Sequence, residues 1–216
     1  MTTKTSGRIS SASEAAGERG RTALVFVGIG ANLAQPRLTL DAAQWALRRL
    51  PGVRGFRASS LYRTSPVDAA GPDFLNAVAS FETPLAPHAL LAALQHIEHR
   101  FGRERPYRNA PRTLDLDLLL YGAILEGAHA PDGGRMISGR ALSVPHPRAH
   151  ERAFVLDPLA ELWPDAVIPG HGPIGNLRAA VHARGDQEIE RLPPSPGDPV
   201  TPGGWNPLTT RTPSAR

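Results

Sequence analysis

The order of patterned segments in this 216-residue chain predicts an α+β fold, an antiparallel sheet with helices packed on it. Two observations carry the prediction. Short apolar runs rich in β-branched and aromatic residues recur along the chain, and between them lie two segments with the helical period, each opened by a proline. Roughly 160 residues are patterned in this way without internal repeat, enough for one domain with a substantial core.

Residues 24–29 form the first apolar run and end in glycines, as a buried strand does. Pro36 opens a helix with Leu38, Leu40, Ala42, Ala43, Ala46, Leu47 and Leu50 at helical spacing, and Pro51-Gly52 stops it. Residues 56–63 read as a strand broken by Thr64-Ser65-Pro66. Residues 74–82 make another, with Phe74, Asn76, Val78 and Ser80 on one face. Pro87 starts a second helix, whose stripe includes Leu90, Leu91, Leu94 and Ile97. Residues 113–121 are the most strand-like in the chain. The resulting order, β-α-β-β-α-β, is the ferredoxin-like split arrangement, with two helices on one face of the sheet. A Gly/Ala-rich stretch at 122–139 is expected as a long loop. Residues 142–145, a helix at about 150–162 and a last short helix near 174–182 follow. The domain is placed at 22–185. Residues 1–21 and the Pro-rich 186–216 are expected to be disordered tails.

Composition excludes several classes. No run of ~18 apolar residues occurs, which removes a transmembrane helix and a membrane partner. Lys4, Arg8, Arg19 and Arg21 stand near Glu14 and Glu18 with no apolar stretch between, so a secretory signal lacks its core, and a cytoplasmic protein is expected. The absence of cysteine removes disulfides, thiolate metal sites and thiol nucleophiles. Of 24 Lys+Arg only Lys4 is lysine, and the net charge is +4. Arginine makes forked contacts to phosphate, and a modest excess without a basic block suits small anionic ligands at least as well as nucleic acid.

Arg112-Thr113-Leu114-Asp115-Leu116-Asp117 is the most informative segment. On a strand, Asp115 and Asp117 share one face with side chains roughly 7 Å apart, and Leu114, Leu116 and Leu118 fill the other. Two carboxylates that close repel unless a cation lies between them, and Mg²⁺ takes one or two carboxylates plus substrate phosphates. The alternative is a solvated strand face. Arg103, Arg105, Arg108 and Arg112 precede the pair in a Gly/Pro-broken loop. Singly each reads as a loop arginine; together with a metal-type carboxylate pair they make clamps for a polyphosphate, as phosphoryl transfer or nuclease-type hydrolysis would use. Gly28-Ile29-Gly30 reads as a tight strand-to-helix turn, since the third glycine of a dinucleotide loop and the Walker Gly-Lys-Ser/Thr are both missing. His146, in Val144-Pro145-His146-Pro147, reads as a surface loop residue or a ligand. Phe74 and Phe154 read as core aromatics when taken alone. Asn76 shares a strand face with Phe74, and a buried amide there needs partners that a heterocycle edge would supply.

These segments resemble the 6-hydroxymethyl-7,8-dihydropterin pyrophosphokinase family of folate biosynthesis. The resemblance runs from about residue 24 to 181. Pro111 and the Arg112–Asp117 motif carry most of it, supported by Gly30-Ala31-Asn32-Leu33, Tyr62-Arg63-Thr64-Ser65-Pro66, Phe74-Leu75-Asn76-Ala77, Glu98 with Gly102-Arg103, and Val144-Pro145-His146 with Arg152 and Phe154. It implies transfer of diphosphate from ATP to the pterin hydroxymethyl oxygen, with AMP leaving. Asp115 and Asp117 would hold two Mg²⁺ ions. Thr64, Val67, Phe74, Asn76 and Phe154 would form the pterin site, with the ring between the two phenylalanines. Gln95, Glu98, Arg105, Arg112, Leu118, Ser143, His146 and Arg152 would bind ATP, and Arg103 and Arg112 would be the catalytic arginines. Only small-molecule partners are implied, with no nucleic acid, and a monomer is expected. Asn109 stands where relatives have Trp, in a loop one residue shorter than theirs, and Ala31 where many have Ser. Two other classes stay open at this point, a ferredoxin-like RNA-binding module and a metal-dependent phosphodiesterase.

Overall fold

The computed structural model describes residues 22–66, 71–102, 113–125, 128–129 and 134–194. In chain order the first half comprises β1 (Ala23–Ala31), α1 (Pro36–Arg48), β2 (Arg54–Ala58), β3 (Tyr62–Thr64), β4 (Phe74–Thr83) and α2 (Pro87–Arg100). The second half comprises β5 (Asp115–Leu125), β6 (Ala128–His129), β7 (Ile137–Ser138), β8 (Ser143–Val144) and a 3₁₀ turn at Ala149–Glu151. It continues with α3 (Ala153–Leu162), β9 (Val167–Ile168), β10 (Gly172–Pro173), α4 (Ile174–Arg184) and β11 (Ile189–Arg191). Both α1 and α2 have proline in the first turn, where its missing N–H costs nothing and its fixed φ favours the helix.

The main sheet has the order β11-β3-β4-β1-β5-β6, with β2 also paired to β4, and every pairing is antiparallel. β1 is the central strand, bonded to β4 on one side and β5 on the other. Its side chains are buried on both faces. Val25, Val27 and Ile29 pack with Leu40, Ala43 and Leu47 of α1 and Leu90, Leu94 and Ile97 of α2. Leu24 and Phe26 pack with Leu156 and Leu159 of α3 and Val181 of α4. The molecule is therefore a mixed α/β sandwich with helices on both faces of the sheet. Burying each of those leucines contributes about 1.5–3 kcal/mol.

Several expectations need correcting. The strand expected at 56–63 is two strands, because Ser59 interrupts it. Its Oγ accepts the Val78 N–H at 3.0 Å and donates to the Ser60 carbonyl, which turns the chain between β2 and β3. Leu38 and Ala42 lie outside the buried stripe of α1, which is Leu40, Ala43 and Leu47; Leu38 is 62% exposed. The loop expected at 122–139 is partly strand, since β5 runs on to Leu125 and pairs with β6. Order also continues past residue 185, where a tail was expected: Ile189–Arg191 join the sheet beside β3.

β5 carries a bulge. Leu118 opposes Val27 and Leu120 opposes Phe26, which leaves Leu119 as the extra residue. The alternation resets there. Leu114, Leu116 and Leu118 pack toward α1 and α2, whereas Leu119 and Leu120 both pack toward α3 and α4. This is how three consecutive leucines become buried without leaving one stranded on a polar face.

Candidate active site

Strand pairings place the chemistry-bearing residues in adjacent rows on the α3/α4 face. Thr64 pairs with Phe74 across β3 and β4. Asn76 pairs with Gly30 across β4 and β1, and Gly30 pairs with Asp115 across β1 and β5. The next row runs Val78, Gly28, Asp117. The two glycines thus lie in β1 itself, not in the turn expected from the sequence, which falls after Ala31. Gly30 leaves the sheet bare between the amide and the carboxylates, about 10 Å apart at the backbone by strand spacing, whereas the Leu119 side chain lies over Gly28, 3.5 Å from where a Cβ would be. The clearance is close: a Cβ on Gly30 would lie 3.2 Å from Asn76 Oδ1. The sequence signal was available, because glycine at alternate positions of a strand marks close approach by a ligand or another chain segment.

On one side of this floor, Asn76 is buried and its Nδ2 donates to Thr64 Oγ1 at 2.9 Å, also buried. That bond fixes the amide and leaves Oδ1 toward Gly30. Phe74 is half-buried beside them. Phe154, in the first turn of α3, is half-buried and packs against the core beneath that helix. The Arg152 guanidinium lies over the Phe154 ring at 5.4 Å.

On the other side, α2 sets the aspartate pair. Glu98 is 1% exposed, and its Oε1 accepts the Leu116 backbone N–H at 2.9 Å, between the two aspartates. In its described contacts Glu98 thus serves the strand backbone, whereas the resemblance implied a contact to ATP. Asp117 is 39% exposed and its Oδ2 lies 3.9 Å from His146 Nε2. His146 Nδ1 accepts the Arg148 backbone N–H at 3.2 Å, which leaves the ring proton on Nε2, facing Asp117. Its backbone N–H donates to the Leu119 carbonyl, at the bulge. Burial pushes the His146 pKa down, and the Asp117 carboxylate opposes that shift. Burial likewise lowers Arg152, whose charge is also repelled by Arg148 and favoured by Asp117 and Asp115. Arg152, His146 and the aspartates therefore form one electrostatic group.

A cleft of about 230 Å³ opens beside Asp117, lined by Leu91 of α2, Leu118 of β5, Leu142, Ser143 of β8 and His146. It joins three residues implied for ATP: Leu118, Ser143 and His146. Gln95 is exposed, one helical turn beyond Leu91. Val67, Arg103, Arg105 and Arg112 lie outside the described residues. Among the described residues no group of three or more His, Cys, Asp or Glu converges. The donor set is two carboxylates on an open strand face, which suits a hard cation that takes its remaining ligands from phosphate and water.

A sheet face with a fixed amide, a carboxylate pair and an adjoining cleft defines a class, a protein with a small-molecule site built on its sheet. Residues 26–164 match the family described as 7,8-dihydro-6-hydroxymethylpterin-pyrophosphokinase (HPPK). The chain is 44% identical over 170 residues to the 2-amino-4-hydroxy-6-hydroxymethyldihydropteridine pyrophosphokinase of Pseudomonas aeruginosa, covering 78% of this chain and 96% of that protein. It is 39% identical over 145 residues to the Haemophilus influenzae protein of the same name, covering 67% and 84%. The HPPK-DHPS structure of Plasmodium falciparum superposes with a TM-score of 0.51 at 13% identity, covering 75% of this chain and 44% of that one, and so supports the fold alone. The chain belongs to the HPPK family.

Proposed function

We infer that the chain transfers diphosphate from ATP to 6-hydroxymethyl-7,8-dihydropterin, a step of folate biosynthesis, and that its sheet is the ferredoxin-like split arrangement. The observation that supports this reading is the row Asn76–Gly30–Asp115, with Thr64 bonded to the Asn76 amide, which sets a fixed amide and a carboxylate pair on one face of the sheet in a member of this family.

The pterin ring stacks against Phe74 and Phe154, and its polar edge meets the Asn76 amide, already oriented by Thr64. The triphosphate follows β5, with the nucleoside toward the cleft at Leu118 and Ser143. Asp115 and Asp117 would hold two Mg²⁺, which when bound neutralise and orient the phosphates. His146 Nε2–H and the Arg152 guanidinium face the same region and hold phosphate oxygens, together with Arg103, Arg105 and Arg112. The pterin hydroxyl oxygen then attacks the β-phosphorus. The bond from that phosphorus to the α,β-bridging oxygen breaks, AMP leaves with the bridging oxygen, and the hydroxyl proton is released. Arginines aimed at the transferring group stabilise the charge that develops there.

Product analysis tests this. With ATP, Mg²⁺ and 6-hydroxymethyl-7,8-dihydropterin, AMP should form in amounts matching the pterin consumed, and none without pterin. AMP released without pterin would indicate a phosphodiesterase. Steeply salt-dependent RNA binding without Mg²⁺ would indicate an RNA-binding module instead.

A further inference from the structure

The segment after α4 contacts the backbone just ahead of Phe154 and pairs with the strand that carries Thr64. Gly185, at φ 64, ends α4 in the left-handed conformation that favours glycine and turns the chain back. Two residues on, Gln187 Oε1 accepts the Ala153 backbone N–H at 2.8 Å, and its Nε2 donates to the Glu151 carbonyl at 2.8 Å. One side chain thus grips the backbone on either side of Arg152, just ahead of Phe154. α3 has no side-chain cap of its own at Arg152, so Gln187 supplies the acceptor that an orphan N–H of the first turn requires.

The chain then runs into β11. Ile189 pairs with Thr64 and Arg191 with Tyr62, Glu190 forms an ion pair with Arg63, and the Leu192 N–H donates to the Leu61 carbonyl at 2.8 Å. Arg191 reaches Ser60 Oγ at 2.9 Å and Glu161 Oε1 at 3.3 Å, while Glu161 Oε2 accepts the Tyr62 hydroxyl at 3.0 Å. These contacts close a ring: α3, Glu161, β3, β11, Gln187 and back to α3. β3 is only three residues long, and without β11 it would be a frayed edge. Thr64, which orients Asn76, stands at its end.

We propose that residues 187–191 are a strap that sets the separation between Phe154 and the Thr64–Asn76 pair, with Gln187 a positioning residue for the acceptor. The strap lies beyond the family match, which ends at residue 164. The proposal rests on the reading that this pocket takes the pterin.

The test is a double-mutant cycle in the full chain, with KM for the dihydropterin and for ATP measured separately and the thermal midpoint followed in parallel. Gln187→Ala and Arg191→Ala should each raise KM for the dihydropterin by about threefold or more, with KM for ATP in Arg191→Ala within about twofold of the parent. The double variant should be no worse than the worse single one, because each change opens the same ring. Gln187→Glu keeps an acceptor for Ala153 and should fall between the parent and Gln187→Ala. Effects that multiply, or an unchanged KM with a lowered midpoint, would reduce the segment to two independent structural contacts and overturn the proposal. A parent protein that makes no pterin-dependent AMP would instead refute the functional reading, so the two failures are distinguishable.

Discussion

Glu98 Oε1 accepts the backbone N–H of Leu116 at 2.9 Å, so a buried carboxylate on α2 fixes the strand residue between Asp115 and Asp117. Glu98→Ala would leave that N–H buried without its acceptor, at a cost of about 1–3 kcal/mol. The expected outcome is a lower thermal midpoint together with a higher Mg²⁺ concentration for half-maximal turnover. A lowered midpoint with an unmoved Mg²⁺ requirement would confine Glu98 to the core.

Gly30→Ala would put a methyl 3.2 Å from Asn76 Oδ1, tighter than an ordinary contact, and displace the amide. KM for the dihydropterin should rise while KM for ATP and the thermal midpoint stay close to the parent's. Equal changes in both KM values would place Gly30 under the phosphates instead.

Asn76→Ala removes the amide that Thr64 orients. Losing a hydrogen-bonding group in a buried recognition site costs about 1–3 kcal/mol, or about five- to 150-fold in KM for the dihydropterin. Competition by ATP analogues lacking a transferable diphosphate should be unaffected. A loss of nucleotide binding would contradict the assignment.

Asp117→Asn keeps the shape and removes the charge next to His146. Turnover should vanish at all Mg²⁺ concentrations while dihydropterin binding persists in equilibrium titration. Near-parental turnover at high Mg²⁺ would remove Asp117 from the metal site.

His150 and His171 stack at 3.7 Å with their planes within 9°. Burial, and then the neighbouring His150, lower the His171 pKa in the folded protein. The unfolded chain therefore binds the proton more readily. This part of the stability is fully present above the unfolded value of about 6.5 and is lost as pH falls through the window below it. Denaturant unfolding from about pH 7.5 to about pH 5.5 should show a decline that His171→Asn flattens. An identical slope in the variant would assign the decline to other groups.

Much of the site was legible because its signals are local. The alternation in Leu114–Asp115–Leu116–Asp117 sorts carboxylates from core side chains, and the face shared by Phe74 and Asn76 follows from strand period alone. The split of 56–63 into β2 and β3 was not legible. It depends on the Ser59 hydroxyl reaching Val78 on another strand, and serine occurs equally in turns, caps and strands. The reset at Leu119 was hidden for a similar reason: a bulge is defined by what lies opposite, not by the bulged residue.

The sequence by itself determined where β1, β4 and β5 run along the chain, the two proline-opened helices, the adjacent aspartates and the family. Each is written in residue type and spacing along one segment, where short-range sterics and periodicity act. Tertiary structure alone decided that Gly30 lies between Asn76 and Asp115, that Glu98 braces the strand carrying the aspartates, and that Gln187 and β11 link the start of α3 to β3. Those relations span from 18 residues, between Glu98 and Leu116, to 127, between Arg63 and Glu190 where β3 pairs with β11. They arise from strand register and from buried polar groups finding partners, constraints that exist only once the sheet has closed.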